Sequence, residues 1–118
     1  NKFDAMASFS YQFTQLCFHG HTHAPRFYVK HGSVEAVPGE QTAIGESVTM
    51  EPGKKYFVNA GSVGQPRDGD WRSAYVIYDV ESGEITIRRL EYDIQTAQEK
   101  IRQAGLPEML ANRLAVGK

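Results

Sequence analysis

Nine residues constrain this chain more than any others: Cys17-Phe18-His19-Gly20-His21-Thr22-His23-Ala24-Pro25. An apolar run leads into three histidines at alternate positions, with a glycine among them and a proline after them. Leu16-Cys17-Phe18 is too brief for a helix and is ended by Gly20, which predicts a short buried strand. In an extended segment residues i and i+2 face the same way, about 6.5–7 Å apart. The pleat of such a strand predicts that His21 and His23 turn toward one point while Thr22 faces away. Imidazole nitrogens reach zinc and related ions at about 2.0–2.1 Å, so the pair suits a single ion. Equally, each ring suits its own ion of a pair about 3.5–4 Å apart. His19 shares the alternation and reads as a residue behind such ligands or in solvent. His31 reads as surface, and Cys17 as a packed rather than reactive thiol.

The rest of the composition bounds the setting. At 118 residues the chain has the size of one domain, and with 41% hydrophobic residues it has material for a core. A net charge of −1 offers no basic patch for nucleic acid and no acidic tail. The single cysteine excludes an internal disulfide. No apolar run approaches the ~18 residues of a membrane span, and no signal peptide is visible, so a cytoplasmic location without a membrane partner is expected. The chain opens on Asn1 without a methionine and runs directly into structured-looking sequence, which reads as a piece of a longer protein.

Around the histidines the elements are short. Residues 2–15 carry Phe3, Met6, Ala7, Phe13 and Leu16 near helical spacing and predict an amphipathic helix. Phe27-Tyr28-Val29 predicts a strand, Lys30-His31-Gly32-Ser33 a turn, and Val34-Glu35-Ala36-Val37 the returning strand. A loop is expected from Pro38 to about Gly45, then a strand over Glu46–Met50, a turn at Glu51-Pro52-Gly53-Lys54, and a strand over Tyr56-Phe57-Val58. Ser73–Val80 and Glu84–Tyr92 flank Glu81-Ser82-Gly83 as a hairpin. Asp93 suits the cap of a helix stopped by Gly105. Pro107 suits the first turn of a second helix carrying Leu110 and Leu114 and ended by Gly117. A helix, several short strands and two helices do not alternate as βαβ units, so the class is α+β with mostly antiparallel strands.

The residues also carry a family resemblance. Gly20-His21-Thr22-His23 after an apolar strand resembles the last signature of the calcineurin-like metallophosphoesterases. Asn59-Ala60-Gly61-Ser62-Val63-Gly64-Gln65-Pro66-Arg67-Asp68 resembles a loop of the smaller bacterial and archaeal members. Tyr92-Asp93-Ile94, Leu106-Pro107 and Leu114-Ala115 extend the likeness to the C-terminus. The resemblance implies an αββα sandwich, of which residues 1–118 would be the C-terminal half in a single partial domain. It implies two divalent ions, Mn, Fe or Zn, with His21 on one and His23 on the other. The implied activity is hydrolysis of a phosphomonoester or phosphodiester, a small ester or nucleotide, by a two-metal-activated hydroxide. The family's earlier signatures, an Asp-x-His, a Gly-Asp, a Gly-Asn-His and a lone histidine, do not precede residue 20, so this segment alone is expected to be inactive.

The loop from Asn59 to Asp70 has chemistry of its own. It is rich in turn formers, and Gly61-Ser62-Val63-Gly64 offers backbone N–H groups suited to an anion. Arg67 suits a forked phosphate contact or, alternatively, an ion pair with Asp68 or Asp70. Asn59 and Arg67 are the candidate substrate-binding residues, and Trp71 reads as packing. Two other functions compete. A histidine-triad nucleotide hydrolase also uses alternating histidines, one of them a nucleophile, but has apolar residues where Gly20 and Thr22 stand. A non-catalytic β-rich interaction module is the third, and in either case a partial sandwich with bare apolar strand faces tends to self-associate.

Overall fold

A computed structural model describes residues 1–31, 33–36 and 47–118. Its elements are α1 (Lys2–Tyr11), β1 (Leu16–His19), β2 (Arg26–His31), β3 (Ser33–Ala36), β4 (Ser47–Thr49), β5 (Lys55–Asn59), β6 (Ser73–Tyr78), β7 (Glu84–Leu90), α2 (Ile94–Gln103), α3 (Glu108–Asn112) and a closing 3₁₀ turn, Arg113–Val116. The expected loop from Pro38 to Gly45, with Gly32, Val37 and Glu46 at neighbouring turn and strand ends, lies outside the described residues.

Two sheets form. One has the order β1-β5-β2-β3, the other β4-β7-β6. All pairings are antiparallel except β1 with β5, which run parallel with Leu16 opposite Tyr56 and His19 opposite Asn59. The α+β class and the predominance of antiparallel strands agree with the sequence reading. Alternation along β5 and β7 explains the packing: Tyr56 and Val58 from one sheet meet Ile85 and Ile87 from the other, with Phe27 of β2, in one buried cluster. The opposite face of the first sheet takes α1, whose Ala5 and Phe9 pack on Tyr28 and Phe57.

Helix α1 starts as its sequence directs. The Asn1 side chain accepts from the backbone N–H groups of Phe3 and Asp4, and the Asp4 carboxylate answers to the N-terminal amine. It stops at Tyr11, four residues short of the expected end. Gln12 leaves the helix, is buried, and donates from Nε2 to the carbonyls of Thr14, Gln15 and Tyr56, while the Lys55 ammonium caps its own carbonyl. Phe13, placed by periodicity on the apolar stripe, is 96% exposed because the helix has already ended. At the other end Asp93 caps α2 through Thr96 N–H at 3.0 Å, as expected. Pro107 is the residue before α3 rather than in its first turn. Gln98 Nε2 donates to the Ala111 carbonyl and Arg102 pairs with Glu108, which holds α2 and α3 as a hairpin. Among the described residues, no helix is long and apolar enough to cross a membrane.

Ile87 sits at the meeting of the two sheets and is fully buried. Ile87→Ala is expected to lower the free energy of unfolding by about 2–5 kcal/mol through lost transfer energy and an unfilled cavity. Urea denaturation checks this; a loss below about 1 kcal/mol would mean that the sheets do not pack there.

Candidate functional site

The ends of β1 and β5 lie side by side, and the chain leaves both in the same direction. After β1 it does not continue as an extended segment. His21 has φ 74° and His23 φ 58°, both in the left-handed region, and the Thr22 N–H donates to the Gly20 carbonyl across His21 at 3.0 Å. That is a three-residue turn of the positive-φ kind, a strained form. The two rings are therefore aimed by left-handed backbone and not by a strand's pleat. This corrects the expectation that alternation alone would make them converge and would turn Thr22 away.

Thr22 is in fact the tie. Asn59, 2% exposed at the end of β5, donates from Nδ2 to Thr22 Oγ1 at 2.7 Å and to the Gly20 carbonyl at 3.2 Å, while its Oδ1 accepts the Gly61 N–H at 2.9 Å. One buried amide thus fastens the histidine turn to the second loop. Gly61 has φ 80°, and a Cβ there would stand 2.7 Å from that of Ala74 and 3.0 Å from Pro25 Cδ, so only glycine lets the loop pass.

The histidines fall into two groups. His19 and His21 stand on the wall of an open pocket of about 580 Å³, whose other walls include Asp4 and Ser8 of α1, Arg26 of β2 and Asn59. His19 is not solvated as one sequence reading had it. Its ring stacks on Phe57 at 4.0 Å, its Nδ1 donates to the Gly20 carbonyl, and its Nε2 is buried without a partner among the described residues. Burial pushes the imidazole below its ordinary pKa against the opposing pull of that hydrogen bond, which keeps it neutral at pH 7. His23 turns instead to the second loop: Nδ1 stands 2.7 Å from the Gln65 carbonyl. A carbonyl only accepts, so Nδ1 is the donor, and in the neutral ring Nε2 is left as the acceptor. The Arg67 N–H returns the link by donating to the His23 carbonyl at 3.0 Å.

Arg67 forms no ion pair among the described residues. It is exposed, and its guanidinium donates to Gln65 Oε1 at 3.2 Å. The acids offered as its alternative partners are taken by others. Asp70 binds Arg72 in a fork, and the Arg89 side chain, 3% exposed, lies against Asp68 and also 3.8 Å from Asp70. Trp71 packs against Tyr92, as its packing role required. His31 is exposed at the end of β2 and Cys17 is half-buried and free.

A metal centre makes two demands, on donor chemistry and on donor number. The donor chemistry suits one: an imidazole that gives Nδ1–H to a backbone carbonyl and leaves Nε2 open is how ligating histidines are usually held. The His21 ring has no hydrogen-bond partner among the described residues. The set is incomplete, however, because among the described residues no group of three His, Cys, Asp or Glu side chains converges. Sequence reasoning missed Gln65, whose carbonyl is the partner of His23; nothing in a glutamine within a turn-rich loop signals that. It also missed Arg26, a cation on the pocket wall that reads in the sequence only as the start of a strand.

No protein-family model matches the chain. It is 39% identical over 108 residues to an uncharacterized protein of Methanocaldococcus jannaschii, a match covering 92% of this chain and 42% of that protein. A crystal structure of a metallophosphoesterase from Sphaerobacter thermophilus superposes on the whole chain with a TM-score of 0.88 and 38% identity, over 48% of its own length. The chain thus spans about half the length of the relatives it matches.

The Asp70–Arg72 fork sets a pH dependence. The Arg72 side chain holds the Asp70 carboxyl below its ordinary value, against a smaller opposing effect of burial. The unfolded chain then binds the proton first. The stabilisation is complete above the ordinary carboxylate value of about 3.9 and is lost as pH falls through the lower folded value. The stability advantage of wild type over Asp70→Asn is expected to be constant from pH 7 to about 5 and to shrink below about 4. Urea midpoints measured at pH 7, 4 and 3 check it, and an unchanging difference would contradict it.

Proposed function

We propose that this chain, which matches a metallophosphoesterase in fold and sequence in a manner consistent with that family's C-terminal half, supplies two metal ligands and the substrate-side loop of a phosphoesterase active centre. The observation that carries the reading is the pair of left-handed histidines at the end of β1, one of them fixed as the Nδ1–H form by the Gln65 carbonyl. His21 and His23 would each offer a ring nitrogen to one of two divalent ions of the Mn, Fe or Zn group. Bound there, such ions supply an activated water for attack on phosphorus and neutralise charge on the phosphoryl oxygens.

This chain's own residues do the rest. The Asn59 amide holds the histidine turn against the loop, and its place on the pocket wall supports a substrate contact. Arg67, exposed and held only through Gln65, supports a forked contact with a phosphate. His19 stands on the same wall as His21, its ring stacked on Phe57. The substrate class is a small phosphate ester or nucleotide, in a cytoplasmic setting. Two imidazoles are short of the three or more ligands a catalytic ion requires, which supports the reading that residues 1–118 by themselves do not turn over substrate. Exposed apolar strand residues support self-association of the segment when isolated.

In the full-length protein, a generic phosphodiester or monoester is expected to be hydrolysed and the rate to vanish with a chelator. His21→Ala and His23→Ala are each expected to lower turnover by at least about a hundredfold, since each removes a direct ligand. Metal affinity is expected to fall below about pH 6, where imidazoles protonate. Chelator-resistant activity, or near-normal rates in either variant, would refute the proposal.

A further inference from the structure

Gln65 is a junction. Its carbonyl accepts from His23 Nδ1 at 2.7 Å, its Oε1 accepts from the Arg67 guanidinium at 3.2 Å, and its Nε2 donates to the Lys118 carbonyl at 3.2 Å. The far end of that last bond is itself fixed. Gly117 closes the 3₁₀ turn with φ 62°, and its carbonyl accepts the Gly69 N–H at 3.1 Å. The fit leaves no room: a Cβ on Gly117 would stand 2.7–2.9 Å from the backbone N, C and O of Asp70. The loop that carries Gln65 and Arg67 is therefore gripped from behind at two points, by residues about fifty positions later in the chain.

The loop has other anchors, and they lie closer to its start. Ala74 N–H donates to the Ser62 carbonyl, Ser73 Oγ to the Val63 carbonyl, and Gln65 N–H to Ser62 Oγ. The first two fix residues 62 and 63 against β6, and the third ties the Gln65 backbone to Ser62. Beyond Gln65 the backbone is held by Arg67 N–H on the His23 carbonyl and by the C-terminal contacts. The carbonyl that sets the His23 ring thus lies between one anchor on the sheet and one on the C-terminal turn.

We infer that Gln65 and Gly117 are positioning residues: the C-terminal turn, acting through the Gln65 side chain, holds the Gln65 carbonyl where it fixes the ring orientation and tautomer of His23 and keeps Arg67 on the same side. The inference rests on the metal-centre reading of His23 for its functional meaning, but its physical content is the state of one imidazole. Neither residue touches a substrate or a metal ion in this scheme. Their effect is to restrict a ring that otherwise has two tautomers and free rotation about its terminal torsion.

The test uses the full-length protein with isotope-labelled histidine ring nitrogens, His23 being assigned by its absence in His23→Asn. Three variants separate the contacts. Gly117→Ala forces the C-terminal turn off Asp70. Gln65→Met removes both side-chain bonds at nearly constant volume. Gln65→Glu keeps an acceptor for Arg67 but cannot donate to the Lys118 carbonyl. In wild type, the metal-free protein is expected to show His23 as a single Nδ1–H species in a strong hydrogen bond. In all three variants, folded by circular dichroism, that signal is expected to become a mixture with the Nε2–H form. Zn²⁺ affinity at one fixed pH is expected to fall about 10- to 100-fold, the usual effect of losing a ligand's orienting partner. An unchanged His23 signal in any folded variant overturns the inference. Should Gly117→Ala fail to fold, the two Gln65 variants decide, since Gln65 is only half-buried. Failure of wild type to bind Zn²⁺ overturns the metal-centre reading alone, because the ring signal is read without metal.

Discussion

Parallel pairing of β1 with β5 is the constraint on which the site depends. His19 stands opposite Asn59, so both strands end at the same level and both chains leave in the same direction. In antiparallel pairing the loop after β5 would emerge at the far end of β1, three residue steps or about 10 Å away at about 3.3 Å per residue. A parallel pair needs a long crossover, and here the intervening chain spends it on β2 and β3, which pair onto the other side of β5 and extend the sheet. The histidine turn and the Asn59–Asp70 loop are brought together at the carboxyl ends of parallel strands, where open sheets place their binding crevices.

What happens at that end is decided by tertiary bonds over local preference. A non-glycine residue in the left-handed region costs about 1–2 kcal/mol, and two occur within three positions. Histidine tolerates that region better than most residues, yet nothing local requires it. The offset comes from four contacts: Thr22 N–H on Gly20, Asn59 on Thr22, His23 on the Gln65 carbonyl, and Arg67 N–H on the His23 carbonyl. Each reaches the histidine turn from within it or from the second loop. The loop in turn is held in part by the histidine turn, beside its own anchors on β6 and on the C-terminal turn.

That mutual dependence sets the boundary of what the sequence could disclose. Elements whose signal is local were legible: the β6–β7 hairpin around Glu81-Ser82-Gly83, the Asp93 cap, the brief apolar strand before Gly20. The candidacy of His21 and His23 was legible too, because three histidines beside a glycine after a short apolar strand is an unusual juxtaposition. Their geometry was not. Alternation predicts a pleat, and the bonds that hold those positions in a turn include one from the Asn59 amide, some 37 residues on. The end of α1 was misread for a related reason, since Gln12 gains three carbonyl acceptors outside the helix that periodicity cannot register. The acids near Arg67 illustrate the same limit. Proximity in sequence suggested an Arg67 pair, but the register of β6 and β7 sets Arg89 opposite Ala74 and hence beside Asp68, which takes that acid away.

The incompleteness of the donor set has a direction. His19 and His21 border a pocket closed on one side by α1 and on another by β2 and β5. β1 is the outermost strand of its sheet among the described residues, with its own Phe18 44% exposed. If His21 is a metal ligand as proposed, the open pocket it borders is a route by which further donors would reach it. The histidine turn is thus tied to the second loop through Asn59 and Gln65, while His21 borders the open pocket.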